Sequence, residues 1–232
     1  MSELGQTKTK ARIFLASFVP MVMCIVMILS FLLQIGMRWP MHRLGVFPHR
    51  VDTLTGIVTM IFVHADGKHL LNNLLSFSIL SVALYYFYNT LANKVIIFAT
   101  LLSGAMLWFI GRDSWHIGAS GLIYAIAFFL FFSGLLRRHT PLVALSLIVA
   151  FLYGSMVWHV FPWEAFNKVS WEGHLSGAVV GFVLSFVFRE QGPQKPVVVW
   201  EADDNDDECE IEFIEEDALD EENANEDTQK QI

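Results

Sequence analysis

The chain has 232 residues, of which 54% are hydrophobic, and a mean hydropathy of +0.49, so its composition is too apolar for a soluble domain. Its net charge of −8 combines two unlike regions: residues 190–232 carry 17 acidic and 2 basic residues, whereas residues 1–189 carry 6 acidic and 13 basic ones. We therefore predict a mildly basic membrane body with an acidic tail. Cys24 and Cys209, one in each region, favour neither an intrachain disulfide nor a metal pair.

Six apolar segments predict an all-α polytopic membrane protein. The first, residues 13–35, exceeds the roughly 20 residues that cross a bilayer and is too long for a cleaved signal peptide. Pro20 is expected to kink this helix, which membrane helices tolerate. The other predicted spans are residues 70–88, 94–110, 115–132, 141–161 and 172–188.

The segment between the first two spans has a different composition. Residues 36–56 mix arginines with aromatic residues and prolines, as is typical of the membrane interface, and predict a long loop with some helix. Residues 54–63 are apolar but too short to span the bilayer. Asp66 is a suitable N-cap for a helix that begins near Lys68.

The predicted spans divide the chain into residues 1–12, a six-helix membrane domain at 13–189, and a tail at 190–232. Seven basic residues flank the spans on the side of the termini and six on the other, a small excess that favours cytoplasmic termini. The tail is too charged to bury a core and is predicted to be disordered. Its short apolar patch, residues 211–214, could dock a partner, but a solvated tail is the favoured interpretation.

Two polar residues in uncharged segments point to chemistry. Ser120 and His174 are costly at membrane depth unless they are paired or hydrated, and a serine nucleophile needs an adjacent base. Gly177 and Gly181, four residues apart, allow a close helix approach that would bring His174 to Ser120, and Gly118 thins the surface beside the serine. We therefore predict a serine–histidine hydrolase with its site inside the membrane domain.

Further polar residues could complete such a site. His69 and Asn73 share one helical face and, with the Ser120 backbone N–H, are candidate donors to an oxyanion. Tyr124 could pack on the His174 imidazole. Glu172 is the nearest carboxylate to His174 but lies on another helical face, so the pattern predicts a dyad without a third member.

Each feature also has a structural interpretation. Small residues around Ser120 could simply form a packing seam, and His64 with His69 could be interfacial. As a zinc pair these histidines lack a third ligand, so we expect no metal. Five other histidines lie in loops or near span ends and are interpreted as structural: His42, His49, His116, His139 and His159.

Together these residues resemble the motifs of the rhomboid family of intramembrane serine proteases over residues 53–188. The matching residues are His64, His69 and Asn73, then Gly118-Ala119-Ser120-Gly121 with Tyr124, then Gly173-His174 with Gly177 and Gly181. The resemblance implies a six-helix rhomboid bundle in which Ser120 is the nucleophile and His174 the base. It also implies an oxyanion hole of His69, Asn73 and the Ser120 N–H, with His64 supporting the start of the second helix and Tyr124 stacked beside His174.

The resemblance further implies substrates and partners. Family members cleave single-pass transmembrane proteins near the membrane surface and use no cofactor, so we expect the lipid bilayer and such proteins as partners, and no nucleic acid. The partner of the tail stays open. The alternative is a non-catalytic rhomboid-like protein that binds transmembrane helices; such relatives usually lack the serine or the histidine. A transporter would show matched repeats, which are not found.

The predicted role of His174 gives a pH dependence. A general base must be neutral to accept the Ser120 proton, so the cleavage rate should fall as the pH drops through the pKa of His174. Initial rates on a transmembrane reporter, measured from neutral into acidic buffer, test this. A rate that stays constant well into the acidic range would exclude a histidine base.

Overall fold

The computed structural model describes residues 3–162 and 170–196, and these residues are helical apart from loops. The α-helices are α1 (Glu3–Met37), α2 (Gly56–Thr59), α3 (Gly67–Phe87), α4 (Asn89–Ile110), α5 (Ser120–Arg137), α6 (Thr140–Tyr153) and α7 (Trp171–Val187). The 3₁₀ helices are Met41–Leu44, Val51–Thr53, Met60–Phe62 and Gly154–Val160. Within the described ranges the chain forms no β-strand, only an isolated antiparallel bridge between Val46 and His116.

Five of the described helical segments are long and apolar enough to cross a membrane: Thr9–Met37, Gly67–Phe87, Asn89–Ile110, Ser120–Arg137 and Thr140–Val160. The helix α7 is also apolar but has 17 residues, which at 1.5 Å per residue gives about 25 Å. Large apolar side chains face outward on these helices, including Phe14, Leu15 and Phe151. The prediction of an all-α polytopic membrane protein is confirmed.

The bounds of the third and fourth predicted spans need correction, and the fourth ends at Arg137 instead of residue 132. The third span begins at Asn89 instead of residue 94. The fifth runs from Thr140 to Val160, in agreement with the predicted 141–161, and changes from α-helical to 3₁₀ conformation after Tyr153. The fourth span begins at Ser120 instead of residue 115, because the preceding residues form a loop paired to Val46. Apolar residues in a packed loop have the same hydropathy as apolar residues in a helix.

The first loop contains short helices, as predicted, and the helix after it is capped as predicted. The Asp66 carboxylate accepts a hydrogen bond from the His69 backbone N–H at 2.8 Å, and α3 begins at Gly67. Gly56, the first residue of α2, lies earlier in this loop region. Here the Gly56 backbone lies against the Gly45 carbonyl, so a side chain at this position would collide with the first loop.

The helix α5 lies at the centre of the bundle and contacts α3, α4, α6 and α7. Its closest neighbour is α7, and glycines on α7 make that approach possible. A Cβ atom on Gly177 would collide with the Gly121 carbonyl, and one on Gly181 would collide with the Ala125 carbonyl. The small-residue spacing therefore lets the two helix backbones touch.

At the far end of this helix pair, a buried arginine joins α5 to the end of α7. The Arg137 guanidinium donates to the carbonyls of Phe188 at 2.6 Å, Arg189 at 2.8 Å and Pro193 at 3.1 Å. Helices end with carbonyls that lack intrahelical partners, and a cation is favoured there. Arg137 thus caps α7 from the neighbouring helix.

Some sequence predictions concern residues outside the described ranges. These are the disorder of most of the acidic tail, the apolar patch at residues 211–214 and the environment of Cys209. Cys24 is described, and its thiol lies 3.3 Å from the Ser78 hydroxyl on α3.

Replacing Gly177 by valine should separate α5 from α7. The added carbons would overlap the Gly121 carbonyl, and overpacking of this kind typically costs about 1–3 kcal/mol. Thermal unfolding in detergent should therefore begin at a lower temperature than in the parent. Gly36→Val is the control, since a Cβ at Gly36 has no neighbour within 4 Å. Equal unfolding temperatures for the two variants would contradict a close backbone contact between α5 and α7 at Gly177.

Candidate active site

Ser120 is the first residue of α5, and a fixed loop holds it there. The loop is paired to the first loop by two backbone hydrogen bonds, from Val46 N to the His116 carbonyl at 3.0 Å and from His116 N to the Val46 carbonyl at 2.8 Å. The Gly118 N–H donates to the Met60 carbonyl at 2.9 Å. Gly118 has φ +107°, a conformation that side chains rarely adopt, so glycine is required here.

His174 lies in the first turn of α7 and is held on two sides. Its Nδ1 lies 3.1 Å from the His159 carbonyl. Because a carbonyl only accepts, Nδ1 carries the proton and Nε2 keeps a free lone pair. The ring stacks on Tyr124 with centroids 4.3 Å apart and an angle of 7°, and the Tyr124 hydroxyl donates to the Met156 carbonyl at 3.0 Å.

The close contact between α5 and α7 places the Ser120 and His174 backbones side by side. Gly121, next to Ser120, faces Gly173, next to His174: a Cβ on Gly121 would lie 3.1 Å from the Gly173 carbonyl. Among the described residues, no hydrogen bond joins the Ser120 and His174 side chains. The two residues therefore occupy adjoining helix starts.

His69 and Asn73 approach this point from α3. A Cβ on Gly118 would lie 2.6 Å from His69 Nε2 and 3.4 Å from Asn73 Nδ2, so both side chains face the residue two positions before Ser120. The Asn73 Nδ2 atom is buried and has no hydrogen-bond partner within the described ranges. A buried donor without a partner is costly, and it is available to a charge that develops on a substrate.

His64 lies just before α3 and is fully buried. Its ring meets the His69 ring edge-on, with centroids 5.0 Å apart. Burial, together with the nearby His69, lowers the pKa of His64 to about 4, so the ring is neutral at neutral pH. In the part of the chain that the structure describes, no third metal-ligand side chain joins these histidines.

Comparison with known proteins decides the family. Residues 51–191 match the Rhomboid domain family model. The chain belongs to the rhomboid family. A protein of Mycobacterium tuberculosis strain H37Rv and one of Mycobacterium bovis are each 34% identical to it over 155 residues, which cover 62% of this chain and 62% of each relative. A Mycobacterium leprae protein is 29% identical over 172 residues, covering 69% of this chain and 68% of that protein.

All three relatives are named as uncharacterised proteins. The chain spans about three fifths of the length of the Mycobacterium tuberculosis and Mycobacterium bovis relatives, as their 62% coverage shows. The match to the family model includes every residue of the candidate site, from His64 to Gly181. Membership in the rhomboid family establishes a multi-pass membrane protein of an intramembrane protease family.

Sequence reasoning missed several residues that position this rhomboid site. The His159 carbonyl bonds His174, but a backbone group leaves no signal in a side-chain pattern. Ser170 caps α7 by accepting from the Gly173 N–H at 3.2 Å, and its place just before an apolar helix could have revealed it. The Ser170 hydroxyl also lies 2.6 Å from His116 Nδ1.

An ion pair between Arg112 and Glu172 is a further contact near the site. Glu172, which is 2% exposed, lies on another face of α7 from His174, as predicted, and Arg112 Nε lies 3.4 Å from its Oε1 atom. Burial also lowers the pKa of His116, against the opposing effects of the Arg112 carbonyl and Glu172, and favours a neutral ring there. The Arg112–Glu172 ion pair and the His116–Ser170 contact both connect the loop before α5 to the start of α7.

Replacing Gly118 by alanine should distort the loop before Ser120. The change forces a positive φ on a residue with a Cβ and places that atom 2.6 Å from the His69 ring, at a cost of about 1–3 kcal/mol. We expect a lower unfolding temperature and loss of any reactivity of Ser120 toward a fluorophosphonate. The control is Gly67→Ala on α3, where the Cβ would lie 4.0 Å from the nearest heavy atom, Phe31 Cζ. A Gly118→Ala protein that behaves like this control would contradict the requirement for glycine.

Proposed function

We propose that this rhomboid protein is an intramembrane serine endopeptidase in which Ser120 is the nucleophile and His174 the general base. The observation that carries the proposal is the state of His174. Its Nδ1 proton is donated to the His159 carbonyl and its ring is stacked on Tyr124 of α5, so the Nε2 atom keeps its lone pair. A histidine held in one tautomer next to a serine is the arrangement that nucleophilic catalysis needs.

The reaction begins with proton transfer from the Ser120 hydroxyl to His174 Nε2 as Oγ attacks the peptide carbonyl. The negative charge then develops on the carbonyl oxygen, where the Asn73 amide, the His69 ring and the Ser120 N–H are the proposed donors. The unpartnered Asn73 Nδ2 atom supports this assignment. His174 next gives its proton to the leaving amine, and an acyl group remains on Ser120.

Hydrolysis of the acyl group needs water in an apolar domain. A small cavity with a mixed polar and apolar lining lies beside Ser120, and the lining includes Ser103, His116 and Ser170. The Ser103 and Ser120 hydroxyls in this lining are groups to which a water molecule can hydrogen-bond. In the proposed second half of the reaction, His174 Nε2 accepts a proton from water as its oxygen attacks the acyl carbonyl. His174 then returns that proton to the Ser120 oxygen as the acyl–oxygen bond breaks, which releases the acid and restores the free serine.

The topology supports a site that opens on the face opposite the termini. The helix α1 carries the chain across once, and α3, α5 and α7 all begin on the side of the first loop. We propose that both ends of the membrane domain face the cytoplasm of a bacterium. Substrates would then be single-pass membrane proteins whose transmembrane segments enter from the bilayer.

Ser120→Ala and His174→Ala should each abolish cleavage of a transmembrane reporter in liposomes. Loss of either member of a serine–histidine pair lowers the rate by at least about 1000-fold. Asn73→Ala should leave a residual rate, lower by about 100- to 1000-fold, because it removes a single oxyanion donor. Initial rates at matched concentrations of folded protein measure all three.

Matched controls separate chemistry from folding. Ser81→Ala removes a buried serine on α3 whose hydroxyl donates to the Phe77 carbonyl of the same helix. His139→Ala removes a histidine at the opposite end of the bundle. Both controls should cleave the reporter at nearly the parent rate. Cleavage that survives Ser120→Ala would refute the proposed nucleophile. A parent that binds transmembrane reporters and cleaves none would favour the non-catalytic alternative.

A further inference from the structure

One hydrogen bond outside the proposed dyad joins the two segments that carry it. His116 Nδ1 lies 2.6 Å from the Ser170 hydroxyl oxygen. His116 stands four residues before Ser120, and Ser170 stands four residues before His174. The bond therefore closes the gap between the loop that holds the proposed nucleophile and the helix that holds the proposed base.

The neighbouring contacts fix the direction of this bond. His116 Nε2 lies 3.1 Å from the Arg112 carbonyl, which only accepts, so Nε2 carries the ring proton. The Ser170 oxygen already accepts from the Gly173 N–H at 3.2 Å, and its hydroxyl proton is free to donate to His116 Nδ1. His116 and Ser170 thus belong to a continuous series of hydrogen bonds that runs from the Arg112 carbonyl to the Gly173 N–H.

The backbones of His116 and Ser170 are each held by further hydrogen bonds. His116 is 2% exposed, and its backbone N–H and carbonyl both bond Val46, itself fully buried. The Ser170 carbonyl accepts from the His174 N–H at 3.2 Å, so it belongs to the first turn of α7. A displacement of Ser170 would therefore be passed directly to the backbone of His174.

Other contacts also join the loop before Ser120 to the start of α7. The Arg112–Glu172 pair spans the same gap at 3.4 Å, and the Gly121–Gly173 contact lies beside it. Small residues allow the two helices to approach but do not fix their offset along the seam. Directional hydrogen bonds supply that missing restraint.

We infer that His116 and Ser170 form a positioning pair that sets the separation of Ser120 from His174. This inference rests on the proposed function, since it assigns the pair a role in that reaction. Neither side chain touches the reacting atoms in this role. A loss of about 1 Å in alignment can lower a catalytic rate on the order of 100-fold, so the pair should control rate more than folding.

A double-mutant cycle tests the pair. His116→Phe keeps a ring and removes the bond, Ser170→Ala removes the hydroxyl, and the double variant removes both partners. The measurements are the rate at which a fluorophosphonate modifies Ser120, kcat and KM for the transmembrane reporter, and the unfolding temperature. Ser170→Thr, which keeps the hydroxyl and the cap, is the conservative variant.

We expect each single variant to lower the modification rate and kcat by about 10- to 100-fold with KM unchanged. The double variant should be no slower than the slower single variant, because the bond is already lost. Ser170→Thr should retain the parent rate. His42→Phe, a change of an exposed histidine on the first loop, should also leave the rate unchanged.

Two results would overturn the positioning pair. In the first, the losses of the two single variants multiply in the double variant, which means that the residues act independently. In the second, the unfolding temperature falls while the rate per folded molecule stays constant, which makes the bond purely structural. A reactive parent with either result overturns only the pair, whereas an unreactive parent overturns the proposed function and the pair with it.

Discussion

The close contact between α5 and α7 is the constraint on which the candidate site depends. Gly177 and Gly181 place no side chain of their own between the helices, so the carbonyls of Gly121 and Ala125 lie against the opposing backbone. Lipid provides no hydrophobic force to bring helices together, and backbone contact must supply the attraction through packing. The site is built where this contact begins, at the first turns of both helices.

Hydropathy predicted the helices because a membrane span must be long and apolar whatever its neighbours are. The same measure misplaced the start of α5, since Trp115 and Ile117 are apolar but belong to a loop that pairs with Val46. Polar residues in apolar segments predicted which positions to examine, and the structure places His69, Asn73 and Tyr124 around the adjoining starts of α5 and α7. The partner of His174 could not be predicted, because it is a backbone carbonyl.

The site also shows how an apolar domain can orient a histidine without a carboxylate. A buried carboxylate beside His174 would require desolvation of a charge, which costs several kcal/mol in a low-dielectric environment. The His159 carbonyl holds the same ring nitrogen without a charge, and Tyr124 restrains the ring plane. The buried carboxylate that is present, on Glu172, is directed to Arg112 instead and serves the joint between segments.

The Arg137 cap has a mechanical consequence. The carbonyls of Phe188, Arg189 and Pro193 are bound to a side chain of α5, so the chain leaving the bundle is tied to the central helix as well as to α7. A pull applied beyond residue 196 would load this guanidinium before it could unwind the last turn of α7. The last turn of α7 therefore shares such a load with α5, because three carbonyls beyond Val187 are bound to one guanidinium.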